Sequence, residues 1–404
     1  MQPDASSSFS SSSSKQTENR GRRTRTRTRT RTNSETLRTL TVPLLCFLLL
    51  AAGCRTKPPV VAEFSPIEKP ADPIPFTPTP EAAPVITAPR TGDEIVIAGQ
   101  LFHTGTRIVL WSDTNGYNAY SLQRHFTHIN GITPSYTNDA DNLAATKSRY
   151  SMRRPALTNE SLAHIRTNGW DLPTLQNHVD QFVLHYDVCG TSRQCFFILH
   201  DRRCLSVHFM LDLDGTIYQT LDAQERASHA TTSNDRSVGI EIANIGAYSP
   251  SNTETLDQWY DHDTNGQTQV ILPERFGDGG ILTPNFIARP ARMEAVTNVV
   301  QGRTLVQYDF TPEQYTALAR LTAALSRALP KIKCDAPRNA ADQVTTVKLP
   351  DDELEKFQGV LGHYHIQLNK TDPGPAFDWE KVLSEAKRLM NETSSTPEKS
   401  PQSP

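Results

Sequence analysis

The apolar positions of this chain group into short runs and one long helical stripe. Gln181–His185 (QFVLH) is an apolar run that predicts a strand. His208–Leu213 and Gly215–Thr220 are two further runs that meet at Asp214-Gly215, turn residues suited to a hairpin. Arg236–Ala243 (RSVGIEIA) predicts another strand. The spacing over Thr311–Leu329 predicts an amphipathic helix, with Thr311 as cap, Pro312 in the first turn and Gln314 completing a capping box. A second helix is expected over Phe377–Met390. Residues 158–178 carry helical patterning, with Thr158 or Asn159 as the cap.

Strands alternating with helices predict an α/β domain over residues 175–391, a central mixed β-sheet flanked by helices. Ahead of it, GDEIVIAG and RIVLWSD are β-branched runs separated by turn residues, which predicts a small β-rich N-terminal extension over 91–174. Residues 249–310 form a long Gly- and Asn-rich insertion. A segment that long inside a domain is either functional or structured on its own. Residues 55–90 are rich in Pro, Ala and Thr and read as an extended linker, and 392–404 read as a disordered tail.

Charge changes the picture at the front of the chain. Net charge is −3 over 404 residues, but residues 1–54 hold nine basic and three acidic side chains, leaving 32 basic and 41 acidic in the rest, a net of −9. A body that acidic argues against a nucleic-acid partner, since phosphate contacts need Lys and Arg. The basic stretch runs into Leu40–Ala52 (LTVPLLCFLLLAA), apolar and ending in small residues, which is the order of an export signal and is short for a membrane span. Ala51-Ala52-Gly53-Cys54 resembles a bacterial lipobox, with Ala51 at the place usually held by Leu. The expectation is an exported, periplasmic protein held to a membrane, the outer membrane included, by a lipid on Cys54. Ordinary secretion and a short uncleaved anchor are the alternatives. Outside this segment Cys189, Cys195, Cys204 and Cys334 would permit two disulfides, with three possible pairings.

Three separated places carry candidate chemistry. His185 ends the run QFVLH. Glu241 shares one face of its strand with Gly239 and Ala243, so there is open space over the carboxylate. On pattern alone Glu241 is either a base facing a cleft or a solvated surface group, and the second is the commoner case. His363 and Asp372 lie nine residues apart in a stretch containing Asn, Pro and Gly, a loop able to fold back so that both side chains meet. Two His and one Asp would make a three-ligand zinc site with one open position.

The ordered segments DQFVLHYDVCGTS, LSVHFMLDLDGTIYQTLDAQERASHA, NDRSVGIEIANIGAY and GHYHIQLNKTDPGPAFDW resemble the type-2 N-acetylmuramoyl-L-alanine amidase family, whose fold is shared with peptidoglycan-recognition proteins. The resemblance spans about residues 175–390. It implies zinc ligands at His185, His363 and Asp372, a catalytic carboxylate at Glu241, a cationic stabiliser at Lys370, and His229 in the substrate groove. It implies peptidoglycan or muropeptides as substrate, with a non-catalytic peptidoglycan-binding lipoprotein as the rival reading. The chain departs from the family pattern in three places: three residues between Ile366 and Lys370 where four are usual, Ser228 where Trp is common, and His365 where an acidic residue is usual. The shorter loop is expected to take its own path. His208 is expected in the core or beside the ligands, and His365 facing solvent or beside the ligands.

Overall fold

The computed structural model describes residues 86, 88–121, 123–126, 129, 149–154 and 158–394. The expected signal segment and lipobox (1–54) and nearly all of the expected linker lie outside the described residues, as do residues 395–404.

The described chain opens with the antiparallel hairpin β1 (Glu94–Ile97) and β2 (Gln100–His103), followed by β3 (Ile108–Leu110) and β4 (Tyr150–Met152). Helix α1 (Asn159–Asn168) is capped by Thr158, whose side chain accepts from the Ser161 N–H, and α2 (Leu172–His178) is capped by Asp171. β5 (Gln181–Tyr186) leads to α3 (Ser192–Phe196), which continues into π-helical turns over Phe197–Arg202. β6 (Phe209–Leu211) and β7 (Ile217–Gln219) form the expected hairpin, where Gly215 takes the positive φ of 81° that the turn requires. β8 (Glu225–Ala227) pairs with β4, and β9 (Ser237–Ile242) follows.

The insertion has structure of its own. It holds α4 (Glu254–Trp259), the hairpin β10 (Tyr260–His262) and β11 (Thr268–Val270), and the hairpin β12 (Val296–Val300) and β13 (Arg303–Gln307). Leu256, Trp259, Tyr260 and Phe276 give it a small core together with Ile245. After it come α5 (Pro312–Ala328), α6 (Asp351–Lys356), β14 (Gly359–Gly362) and α7 (Trp379–Ser394). The capping box at Thr311 and Gln314 forms as the sequence predicts. Helix α7 runs through Ser394. Among the described residues no helix is long and apolar enough to cross a membrane.

Six strands make the central sheet, in the order β14-β5-β9-β6-β7-β3. It is mixed: β6 and β7 are antiparallel and every other pair is parallel. The edge strand β3 comes from the N-terminal extension, so RIVLWSD completes the sheet. Phe182, Leu184, Val238, Ile240 and Ile242 share one core with Leu318, Leu321 and Leu325 of α5 and Val382 and Leu383 of α7. Leu321 is fully buried there, and its truncation to Ala would cost about 2–5 kcal/mol. On the opposite face Val183 and Leu361 pack with Ala230, Leu349, Leu354 and Ile366. That second face, at the C-terminal ends of the parallel strands, also carries the candidate chemistry.

Candidate metal centre and its cleft

Strand alternation decides which side chains meet. Along β5, Gln181, Val183 and His185 share a face. β9 runs parallel beside it with His185 opposite Glu241 and Val183 opposite Gly239, so Glu241 rises on the same face as His185. β14 ends one residue before His363, which opens a single 3-10 turn, His363–His365. The chain then returns so that the Tyr364 N–H donates to the Asp372 carbonyl at 3.2 Å. The Tyr186 and Thr371 hydroxyls, 2.5 Å apart, tie the return to β5.

His185, His363 and Asp372 converge. Nδ1 of His185 lies 2.9 Å from Nδ1 of His363 and 2.8 Å from Oδ2 of Asp372, and the third edge of the triangle is 2.9 Å. All three side chains are buried. The outer nitrogens fix where the protons sit. His363 Nε2 donates to Gln367 Oε1 at 2.6 Å, which leaves Nδ1 as a lone pair. His185 Nε2 lies 3.0 Å from His229 Nδ1, and His229 Nε2 lies 3.3 Å from the Ser237 hydroxyl. Donation outward along that chain leaves His185 Nδ1 bare as well. Two imidazole lone pairs and a carboxylate oxygen then face one point, a donor set that suits a zinc ion and is awkward without a cation. A second His/Asp/Glu grouping, Asp93, Glu94 and His103, is less suited, because both Glu94 oxygens already accept from the N–H groups of Thr91, Gly92 and Asp93.

The electrostatics agree with that reading. Burial, then His363 nearby, pushes His185 down to about 4, so it is the neutral, ligating form at neutral pH. Burial works to raise the Asp372 carboxyl, but the two imidazoles beside it hold it well below the usual carboxylate range. Glu241 is pushed well up by burial, and next by the charges of Asp372 and Asp187. His185, His229, Glu241, His363, Lys370 and Asp372 all line one cleft of about 160 Å³, with Asp187, Arg203 and Ser228 on its walls.

Residues 175–270 match the sequence profile of the N-acetylmuramoyl-L-alanine amidase family. This stretch is similar to the amidase family. It contains His185, His229 and Glu241, while His363, Lys370 and Asp372 lie beyond the matched range and are brought in by the fold. Among solved structures, the chain is similar to a selenomethionine AmpD derivative at 19% identity, over 52% of this chain and 86% of that one, with a TM-score of 0.26. It is similar to AmiD from E. coli, solved with anhydro-N-acetylmuramic acid-L-Ala-D-gamma-Glu-L-Lys, at 18% identity over 56% and 67%, with a TM-score of 0.29. The amidase LysC from Clostridium intestinale URNW matches at 16% over 53% and 88%, with a TM-score of 0.28. No curated protein matches the chain in sequence.

Around the candidate metal centre the remaining histidines separate. His208 is fully buried; its Nδ1 accepts from the Gly239 N–H and its Nε2 donates to the Glu225 carbonyl. His365 is not solvent-facing. It is fully buried, its Nδ1 accepting from the Gly362 N–H and its Nε2 donating to the Thr345 carbonyl, so it clasps the ligand turn from behind. His229 both lines the cleft and backs His185, and Gly239 makes room for it: a Cβ there would lie 2.4 Å from its ring. Cys189, Cys195, Cys204 and Cys334 are free thiols, and Cys189 and Cys195 line the cleft wall. Sequence reasoning missed Gln367 and Ser237. The four-residue step from His363 to Gln367 was the available signal for the first, and nothing local marked the second.

Proposed function

We propose that the chain hydrolyses the amide between N-acetylmuramic acid and L-alanine in peptidoglycan or in muropeptides, with a zinc ion held by His185, His363 and Asp372. The observation that carries this is the convergence of those three donor atoms beside Glu241, in a domain whose first part matches the amidase family. Zinc bound there would polarise the amide carbonyl and lower the pKa of water. Glu241, with its affinity for a proton raised by burial, takes the proton of the attacking water and delivers it to the departing alanine nitrogen. Lys370, on the same cleft, supplies positive charge to the carbonyl oxygen as negative charge grows on it. His229 and Gln367 hold the two imidazoles in the ligating tautomer.

The test is to incubate the full chain with peptidoglycan, with zinc or with chelator, and to identify products by mass spectrometry. Released peptides that begin with L-alanine, only when metal is present, are expected. Intact muropeptides in both samples, with the protein still bound to the wall, would replace this reading with that of a peptidoglycan-binding module.

Export to the periplasm and a lipid on Cys54 complete the proposal, supported by the order of charge and apolar residues over 1–54. Labelling of cells with a tagged fatty acid should mark the parent chain and not Cys54→Ala.

A further inference from the structure

The hairpin β12–β13 ends in a two-residue turn, Gln301-Gly302, with φ of 53° and 69°. Positive φ at both positions is the turn geometry that Asn-Gly and Gly-Gly serve best, and a long side chain such as Gln is an unfavourable choice for the first. An outlier of this kind invites a search for what its side chain does. The Gln301 amide is fully used. Its Nε2 donates to the carbonyl of Tyr364 at 2.7 Å and to that of Gln367 at 3.1 Å, and its Oε1 accepts from the Lys348 N–H at 3.1 Å. Tyr364 follows the ligand His363, and Gln367 is the residue whose side chain holds His363 Nε2.

The other end of the same strand repeats the arrangement. Gln307, the last residue of β13, is fully buried. Its Nε2 donates to the Pro373 carbonyl and to Asn244 Oδ1, both at 3.2 Å, and its Oε1 accepts from the Ala376 N–H at 3.0 Å. Pro373 follows the ligand Asp372. Gly374 has no room for a Cβ, which would lie 2.1 Å from Gln307 Oε1.

We propose that the insertion hairpin β12–β13 is a brace for the metal loop: Gln301 and Gln307 grip the chain just beyond His363 and just beyond Asp372, and so hold both ligands in convergence on His185. Both glutamines are positioning residues, acting through the backbone of the ligand loop. The inference rests on the metal-centre reading above and gives the insertion a role in it.

Gln301→Asn and Gln301→Gly separate the brace from the fold, because both residues suit the turn and neither reaches the loop. Zinc affinity of the full chain is measured by competition with a chromogenic chelator, cobalt(II) absorption reports the ligand geometry, and melting is followed in EDTA. Both variants should melt close to the parent temperature, because relief of the turn's backbone strain offsets the lost hydrogen bonds, bind zinc about ten-fold more weakly or worse, and give altered cobalt bands. Zinc affinity within two-fold of the parent, in chains that melt like it, would overturn the brace. A Gln301→Asn chain that fails to fold would overturn it too, since the side chain would then be holding the domain and not the ligands. A parent chain without zinc affinity would instead overturn the metal-centre reading, and the brace with it.

Discussion

His185 and Glu241 stand side by side, paired in register on the adjacent parallel strands β5 and β9. Because paired residues of parallel strands leave the sheet on the same face, the backbone alone sets a metal-donor imidazole next to a carboxylate of raised proton affinity. Glu241→Gln keeps the shape of this pair and removes the proton acceptor. Zinc affinity should stay near that of the parent while kcat falls by about 10²–10⁴-fold. Zinc titration alongside muropeptide turnover checks both halves, and a variant that turns over like the parent would remove Glu241 from the proposed role.

The strand bearing Glu241 also depends on its neighbour. A methyl at Gly239 would meet the His229 ring at 2.4 Å, so Gly239→Ala must displace the ring that backs His185. The single change should cost about 1–3 kcal/mol in stability. In a His229→Ala background the same change should be close to neutral, because the obstructing ring is gone. Urea melts of the four chains measure this as a coupling energy. Equal costs in both backgrounds would show that the ring is not confined by Gly239.

How much of this was legible in the sequence follows from the range of each interaction. The hairpin at Asp214-Gly215, the strands at 181 and 236, and the capped helix from Pro312 were legible because turn chemistry, apolar runs and caps are local. The face shared by Gly239, Glu241 and Ala243 was legible for the same reason. That Glu241 faces a cleft, and not open water, depends on its pairing with β5, which no local pattern encodes. The burial of His365 was hidden likewise, since its partner, the Thr345 carbonyl, lies twenty residues away. β3 read as part of an extension because its apolar run is short, while its place at the sheet edge is set by pairing with β7 across more than a hundred residues.

Arg153 shows how firmly the N-terminal extension is joined to the domain that follows it. It is fully buried, its guanidinium donating to the carbonyls of Asn234 and Asp235 at 3.2 Å and of Ala223 at 2.8 Å. Asn234 in turn accepts, through its side chain, from the N–H groups of His229 and Ala230. Arg153→Met would leave three carbonyls without their donor, a loss of about 3 kcal/mol or more. A chain cut to 175–404 loses Arg153 and edge strand β3 together, and should be insoluble or melt far below the parent. Calorimetry of the two chains checks this, and a shortened chain that melts like the parent would show the extension to be dispensable for folding.

Asp212 supplies a stability test away from the metal centre. It follows β6, is fully buried, and accepts the Leu213 N–H at 2.9 Å. Burial pushes its carboxyl up to about 7, only partly offset by that amide. In the unfolded chain the group titrates near 3.9. Between roughly pH 4 and 7 the folded state therefore keeps a proton that the unfolded state has released. The sign is that stability from this group is greatest below about pH 4, falls as pH rises to about 7, and is level above that, a total of about 3–5 kcal/mol. Asp212→Asn removes the titration. Its melting temperature should fall less than that of the parent from pH 5 to pH 8, so that the variant gains on the parent as pH rises. Asp187 is also pushed up to about 7 by burial, and its charge helps to raise Asp212, so the difference between the slopes reports Asp212 together with its repulsion from Asp187. Parallel slopes would mean that Asp212 is ionised in the folded protein across this range.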